Sequence, residues 1–207
     1  MELRNALELK ADSDAAVIVL HEIYGVNRHI LDLCADYQAL GFDVYCPDLY
    51  DSVKPFPYNR QTEAYEFFMN HVGFEIFPSI NDFAAQLRPR HTRLFLLGSS
   101  VGATLAWLCG NSGLYDGVVC CYGSRIRDYA HLPPACPTLA FFARHEKSFP
   151  PESVESALSG IPVLQVETVD AGHGFCDKYS EHFDAKAATY AEKRIRDFLK
   201  KLRRVPI

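Results

Sequence analysis

The feature that most constrains this chain is the run Arg93-Leu94-Phe95-Leu96-Leu97-Gly98-Ser99-Ser100-Val101-Gly102, continued by Ala103-Thr104-Leu105-Ala106-Trp107. An apolar stretch stops abruptly at Gly-Ser-Ser-Val-Gly, and an apolar stretch of helical composition follows. That layout predicts a strand, a tight turn carrying Ser100, and a helix. Gly98 and Gly102 suit such a turn because the serine backbone is strained and its neighbours must approach without a Cβ. A hydroxyl held there stands above the strand ends, with a helix N-terminus behind it that favours negative charge.

The rest of the chain repeats the same alternation. Residues 1–10 predict a short edge strand. Ala15-Ala16-Val17-Ile18-Val19-Leu20 is a continuous apolar run, the mark of a strand buried on both faces. An amphipathic segment from Arg28 to Leu40 places Ile30, Leu31, Leu33, Cys34, Tyr37 and Leu40 on one side, with Gly41 at the expected C-cap. Residues 42–46 predict a strand, 51–60 a surface loop rich in Pro, Tyr and Asn, and 61–70 and 74–87 two helices. Residues 117–122, 137–142 and 163–169 predict further strands. Residues 151–158 predict a helix with proline in its first turn, and 180–204 a long amphipathic helix ending in cations that complement its dipole. Strands alternating with helices predict a mostly parallel sheet covered on both faces, a doubly wound α/β domain spanning residues 1–207.

Composition narrows the partners. The 207 residues are 48% hydrophobic and 23% charged, an ordinary globular balance, and the net charge of -5 disfavours a nucleic-acid partner. No apolar run approaches the roughly 18 residues of a membrane span. The polar opening Met1-Glu2-Leu3-Arg4-Asn5 has no signal-peptide apolar block. Seven cysteines, an odd number set mostly in apolar runs, read as buried small hydrophobes in a reducing cytoplasm. No cysteine pair has zinc-site spacing with a matching second pair, so no metal site is expected. Adjacent Cys120 and Cys121 should point to opposite faces of their strand.

Sites in such sheets lie beyond the carboxyl ends of the strands. Four polar stretches fall there: His21-Glu22, Ser100, Glu146 and His173. A neutral serine hydroxyl needs an imidazole to take its proton, and the imidazole needs a carboxylate on its other nitrogen. Ser100, Glu146 and His173 occur in the chain order nucleophile, acid, base. Asp170 and Asp177 lie nearer to His173 and remain rival acids. His145 precedes the last strand, out of order for the base, and is expected to pack or face water.

At this point the motifs resemble a known family. His21-Glu22-Ile23-Tyr24-Gly25-Val26-Asn27, Pro47-Asp48-Leu49-Tyr50, Gly98-Ser99-Ser100-Val101-Gly102, Tyr122-Gly123 and Ala171-Gly172-His173-Gly174-Phe175 fall in the order seen in dienelactone hydrolases. The resemblance implies an α/β-hydrolase fold that cleaves lactones and esters with a nucleophile–His–acid triad and no cofactor. It makes Ser100 the nucleophile, His173 the base and Glu146 the acid. It places the oxyanion hole at the N–H groups of Ile23 and Val101, and matches Glu22 to a glutamate that contacts the resting nucleophile.

Three departures shape the expectation. The family nucleophile is cysteine, and here it is Ser100. The family acid is usually aspartate, and here it is Glu146. A substrate-holding arginine four residues after the catalytic histidine is here Asp177, whose charge would repel a carboxylate. Arg60 falls near another family arginine, and Tyr65, Tyr122, Arg125 and Arg144 are further substrate-binding candidates. The expectation is a serine hydrolase, monomer or small homo-oligomer, acting on a small ester, lactone or thioester. The alternatives are a non-catalytic scaffold that binds a ligand or partner, and an amide or peptide hydrolase. The loops at 51–60, 124–135 and 143–150 should shape the pocket.

Overall fold

A computed structural model describes residues 3–51, 53–146 and 151–204. Its centre is a seven-stranded sheet in the order β1-β3-β2-β4-β5-β6-β7. The strands are β1 (Arg4–Leu9), β2 (Ala15–Leu20), β3 (Asp43–Asp48), β4 (Arg93–Ser99), β5 (Gly117–Cys121), β6 (Thr138–His145) and β7 (Leu164–Gly172). β1 runs antiparallel to β3 at one edge, and every other pairing is parallel. The helices are α1 (Arg28–Ala39), α2 (Gln61–His71), α3 (Phe77–Leu87), α4 (Val101–Cys109), α5 (Pro151–Leu158) and α6 (Ala185–Arg203).

The two-sided core follows from strand periodicity. Ala15, Val17 and Val19 of β2 face a cluster built with Ile30, Cys34 and Tyr37 of α1 and with Ala191, Ile195 and Phe198 of α6. Ala16, Ile18 and Leu20 face the opposite cluster, which holds residues of α2, α3, α4 and α5. Each fully buried Val, Leu or Ile contributes about 1.5–3 kcal/mol, which explains why continuous apolar runs form the middle strands. Cys120 and Cys121 divide between the two clusters, as their adjacency requires. Every residue of α4 is buried, since this helix is wedged against the sheet.

Several boundaries differ from the sequence expectation, each for a physical reason. The helix expected over 74–87 opens as a short 3-10 turn, Phe74–Ile76, because Pro78 fits only the first turn of α3. The last helix starts at Ala185 rather than Ser180, because Asp184 caps it by accepting a hydrogen bond from the Ala187 N–H (2.9 Å). Leu31 of α1 is exposed, since the buried stripe is Ile30, Cys34 and Tyr37.

β6 and β7 run past their apolar stretches to His145 and Gly172, pairing with each other across a register shift. β7 is the sheet edge, so polar residues there can stay in a strand while facing water. The 124–135 loop opens with a 3-10 turn, Ser124–Tyr129, and of the 143–150 loop residues 147–150 lie outside the described residues. Among the described residues no helix is long and apolar enough to cross a membrane.

Candidate active site

Ser100 follows β4 directly and has φ 53° and ψ −116°, a conformation that non-glycine residues avoid. Its surroundings hold it there. The Ser100 N–H donates to Cys121 O at the end of β5 (2.9 Å), and its carbonyl accepts from the Ala103 N–H (3.1 Å). A Cβ on Gly98 would lie 2.1 Å from the Gly102 carbonyl oxygen. A Cβ on Gly102 would lie 2.7 Å from the carbonyl oxygens of both Leu20 and His21. The turn therefore has room for no side chain at either glycine.

The Ser100 Oγ lies 3.0 Å from His173 Nε2, and His173 Nδ1 lies 2.6 Å from Glu146 Oε1. With Nδ1–H donating to the carboxylate, Nε2 is left to accept from the serine hydroxyl. Glu146 and His173 sit side by side because β6 and β7 end together: His145 pairs with Gly172, and each strand delivers its next residue to the same edge. The Glu146 side chain is buried and the His173 ring is about one-third exposed. Burial alone would lower the His173 pKa. The hydrogen bond to Glu146, with the charges of Glu146 and Glu22, more than offsets it and holds the imidazole above its ordinary value.

The rival acids are engaged elsewhere. Asp170 is exposed and accepts from His145 Nε2 (2.9 Å), with Arg144 Nε at 3.6 Å. Asp177 is buried, with Tyr58 as donor (2.6 Å). Asp177 does not line the cavity, where a substrate carboxylate was expected to meet its charge; its side chain points into the packed loops.

The loop after β2 is fixed by His21, which is fully buried. Its Nε2 accepts from the Leu49 N–H (3.1 Å) and its Nδ1 donates to the Glu22 carbonyl (2.7 Å), a pairing that defines a neutral ring. Burial correspondingly lowers its pKa. The Tyr50 hydroxyl donates to Ile23 O (2.7 Å), and the Gly25 N–H to Glu22 O (3.1 Å), which sets the peptide planes of this turn. Ile23 and Val101 both border the cavity with Ser100, and Val101, first residue of α4, has no intrahelical acceptor for its N–H.

Beneath the histidine lies Tyr122, buried, with φ 45°. Its hydroxyl donates to Glu22 Oε1 (3.1 Å) and its ring meets His173 edge-on at 5.2 Å. Burial raises both the Glu22 and the Tyr122 pKa. Tyr122 is thus a support under the site rather than a wall of the cavity, a correction to its reading as a substrate contact.

The cavity has a volume of about 430 Å³. Tyr65 and Arg125 line it as anticipated, joined to each other by a hydrogen bond from Arg125 to the Tyr65 hydroxyl (3.3 Å). Arg60 and Arg144 do not line it. Arg60 is paired with Glu63 on the surface, and Arg144 faces Asp170. Arg127 and His182 border the cavity without having been singled out; a lone arginine in a short turn and a histidine in a loop carry no periodic signal.

This arrangement can be set beside known proteins. A family-wide sequence profile described as "Dienelactone hydrolase family" matches residues 5–203. The chain belongs to the dienelactone hydrolase family. It is a hydrolase, which sets aside the non-catalytic scaffold. YczH, an uncharacterized protein of Bacillus subtilis (strain 168), is 37% identical over 171 residues, covering 81% of this chain and 84% of that one. A carboxymethylenebutenolidase of Pseudomonas putida is 28% identical over 208 residues, covering 91% and 87%. The structure of Est1E from Butyrivibrio proteoclasticus with ferulic acid bound has a TM-score of 0.69 at 12% identity, covering 97% and 95%. That likeness speaks for the fold alone, and the fold is the α/β-hydrolase fold.

Proposed function

We propose that this hydrolase cleaves a carboxylic ester, lactone or thioester through a Ser100–His173–Glu146 triad and an acyl-enzyme intermediate. The observation that carries the reading is the continuous chain from the Ser100 hydroxyl through His173 to Glu146, at 3.0 and 2.6 Å. His173 takes the serine proton as Oγ attacks the carbonyl carbon. Glu146 holds the Nδ1–H tautomer and stabilises the imidazolium that forms.

The developing oxyanion is held by the N–H groups of Ile23 and Val101, a contact whose loss costs about 10²–10³ in rate. His173 then returns its proton to the leaving oxygen or sulfur and activates water for deacylation. Glu22 accepts from Tyr122 close to the nucleophile, and burial raises its pKa. The carboxymethylenebutenolidase relative supports a lactone among the substrates. Arg125 and Arg127 stand on the cavity wall, both also paired with Asp128, and the net positive charge of that cluster favours a substrate with an anionic group.

A panel of p-nitrophenyl esters, an anionic hemiester, lactones, a thioester and a p-nitroanilide tests the reading. Turnover of the ester, lactone or thioester members is expected. A folded sample that cleaves only the anilide would replace it with an amide hydrolase.

A further inference from the structure

His173 stands between two glycines, Gly172 and Gly174, and a Cβ built on either meets nothing within 4 Å. Gly174 also has φ 82°. β7 and its pairing with β6 end at Gly172, so past His173 no strand holds the chain, and contacts of the following loop set its position. The packing places one device there. Asp177 is 2% exposed, and its N–H donates to Gly174 O (3.0 Å), closing a turn one residue beyond His173. Its Oδ1 accepts from the Tyr179 N–H (2.9 Å), with His29 Nδ1 at 3.7 Å. Its Oδ2 accepts from the Tyr58 hydroxyl at 2.6 Å, across 119 positions of sequence.

From Tyr58 the connection continues to the other half of the site. The Tyr58 oxygen accepts from Asn27 Nδ2 (3.1 Å), and Asn27 Oδ1 caps α1 by accepting from the Ile30 N–H (3.1 Å). The Tyr58 ring meets Tyr24 edge-on at 4.7 Å, and the Phe56 N–H donates to Tyr24 O (3.0 Å). Tyr24 follows Ile23, the proposed oxyanion donor. A buried carboxylate is costly without donors, and here each oxygen has one. Through Tyr58, whose own loop stands between them, Asp177 connects the loop that carries the base with the oxyanion-binding turn.

We infer that Asp177 is a positioning residue: through Tyr58 it clamps the His173 loop to the Ile23 loop and so fixes the base relative to the oxyanion donors. This rests on the triad reading above. Displacing a catalytic group by about 1 Å from a distance costs up to ~10²-fold in rate, so the clamp should act on turnover rather than on substrate binding.

The test uses Asp177→Ala, Asp177→Asn and Tyr58→Phe, assayed on p-nitrophenyl acetate with thermal unfolding in parallel. Tyr115→Phe is the control; it removes a buried tyrosine bond, to Asn81 Oδ1 (3.1 Å), far from these loops. Expected are a fall in kcat of about ten- to a hundredfold for Asp177→Ala with KM changed by less than about twofold, and a smaller fall for Tyr58→Phe. Asp177→Asn, which keeps one acceptor oxygen, should recover about fivefold over Asp177→Ala. Tyr115→Phe should lose thermal stability without losing kcat.

Should Asp177→Ala fail to fold, Tyr58→Phe and Asp177→Asn carry the comparison with Tyr115→Phe. The inference is overturned if kcat is retained in folded variants, if it falls no further than in Tyr115→Phe, or if the loss lies in KM. Failure of the triad itself reads out differently, as turnover that survives Ser100→Ala.

Discussion

The hydroxyl of Ser100 lies 3.0 Å from Nε2 of His173, although 73 positions separate them. The two meet because β4, β5, β6 and β7 are successive parallel neighbours whose carboxyl ends share one edge of the sheet. Ser100 follows β4, Glu146 follows β6 and His173 follows β7. The proposed chemistry is thus a consequence of strand order, and single substitutions probe its supports one at a time.

The pH dependence of turnover tests the His173–Glu146 pair. In the proposed mechanism His173 must be neutral to act, and its pKa is held above the ordinary 6.5 by the Glu146 bond against the opposing effect of burial. Activity should therefore be lost as pH falls through a value above 6.5. Glu146→Gln should move that limb lower and cut kcat by about 10³–10⁴, the scale of a wrong tautomer. Asp170→Asn, altering an exposed carboxylate that faces His145, should change kcat by less than about twofold. Kinetics across pH on the three proteins decides between these acids.

Gly102→Ala tests the elbow. The new methyl would sit 2.7 Å from two backbone oxygens that cannot yield separately, because they belong to consecutive residues, Leu20 at the end of β2 and His21 just after it. A stability loss of about 1–3 kcal/mol or more is expected from denaturant unfolding, together with loss of activity as the β2 loop is pushed away from Ser100.

His21 makes stability depend on pH. Its folded pKa is lowered by burial, and its Nε2 is occupied by the Leu49 N–H. Below 6.5 the unfolded chain takes up a proton that the folded chain refuses, so stability falls as pH drops from 6.5 toward the lowered folded value. The melting temperature of the wild type should approach that of His21→Gln as pH is lowered through this window. A constant difference would show that the ring is not held neutral.

Much of this was legible in sequence, for reasons that particular residues make plain. The buried strands announce themselves because a run such as 15–20 is apolar on both faces, and the elbow because no other residue fits where Gly98 and Gly102 stand. The extensions of β6 and β7 were not, since Arg144 and His145 at the exposed end of β6 and Asp170 in the edge strand β7 are polar residues within strands. That hid which carboxylate meets His173, because the answer depends on the register shift between Ala143 and His145. Asp177 misled for a related reason: its charge reads as a pocket feature until burial and Tyr58 show which way it points. Tyr122 matched a motif correctly in place, while its direction, downward onto Glu22, is a matter of backbone conformation.

The most direct measurement of the central claim is covalent capture of the nucleophile. The folded protein is incubated with a fluorophosphonate probe, digested and read by mass spectrometry, with esterase activity followed in parallel. The expected result is a single adduct on Ser100 that grows as activity falls, and neither adduct nor turnover in Ser100→Ala. Labelling of another residue, or ester turnover persisting in folded Ser100→Ala, would contradict the account.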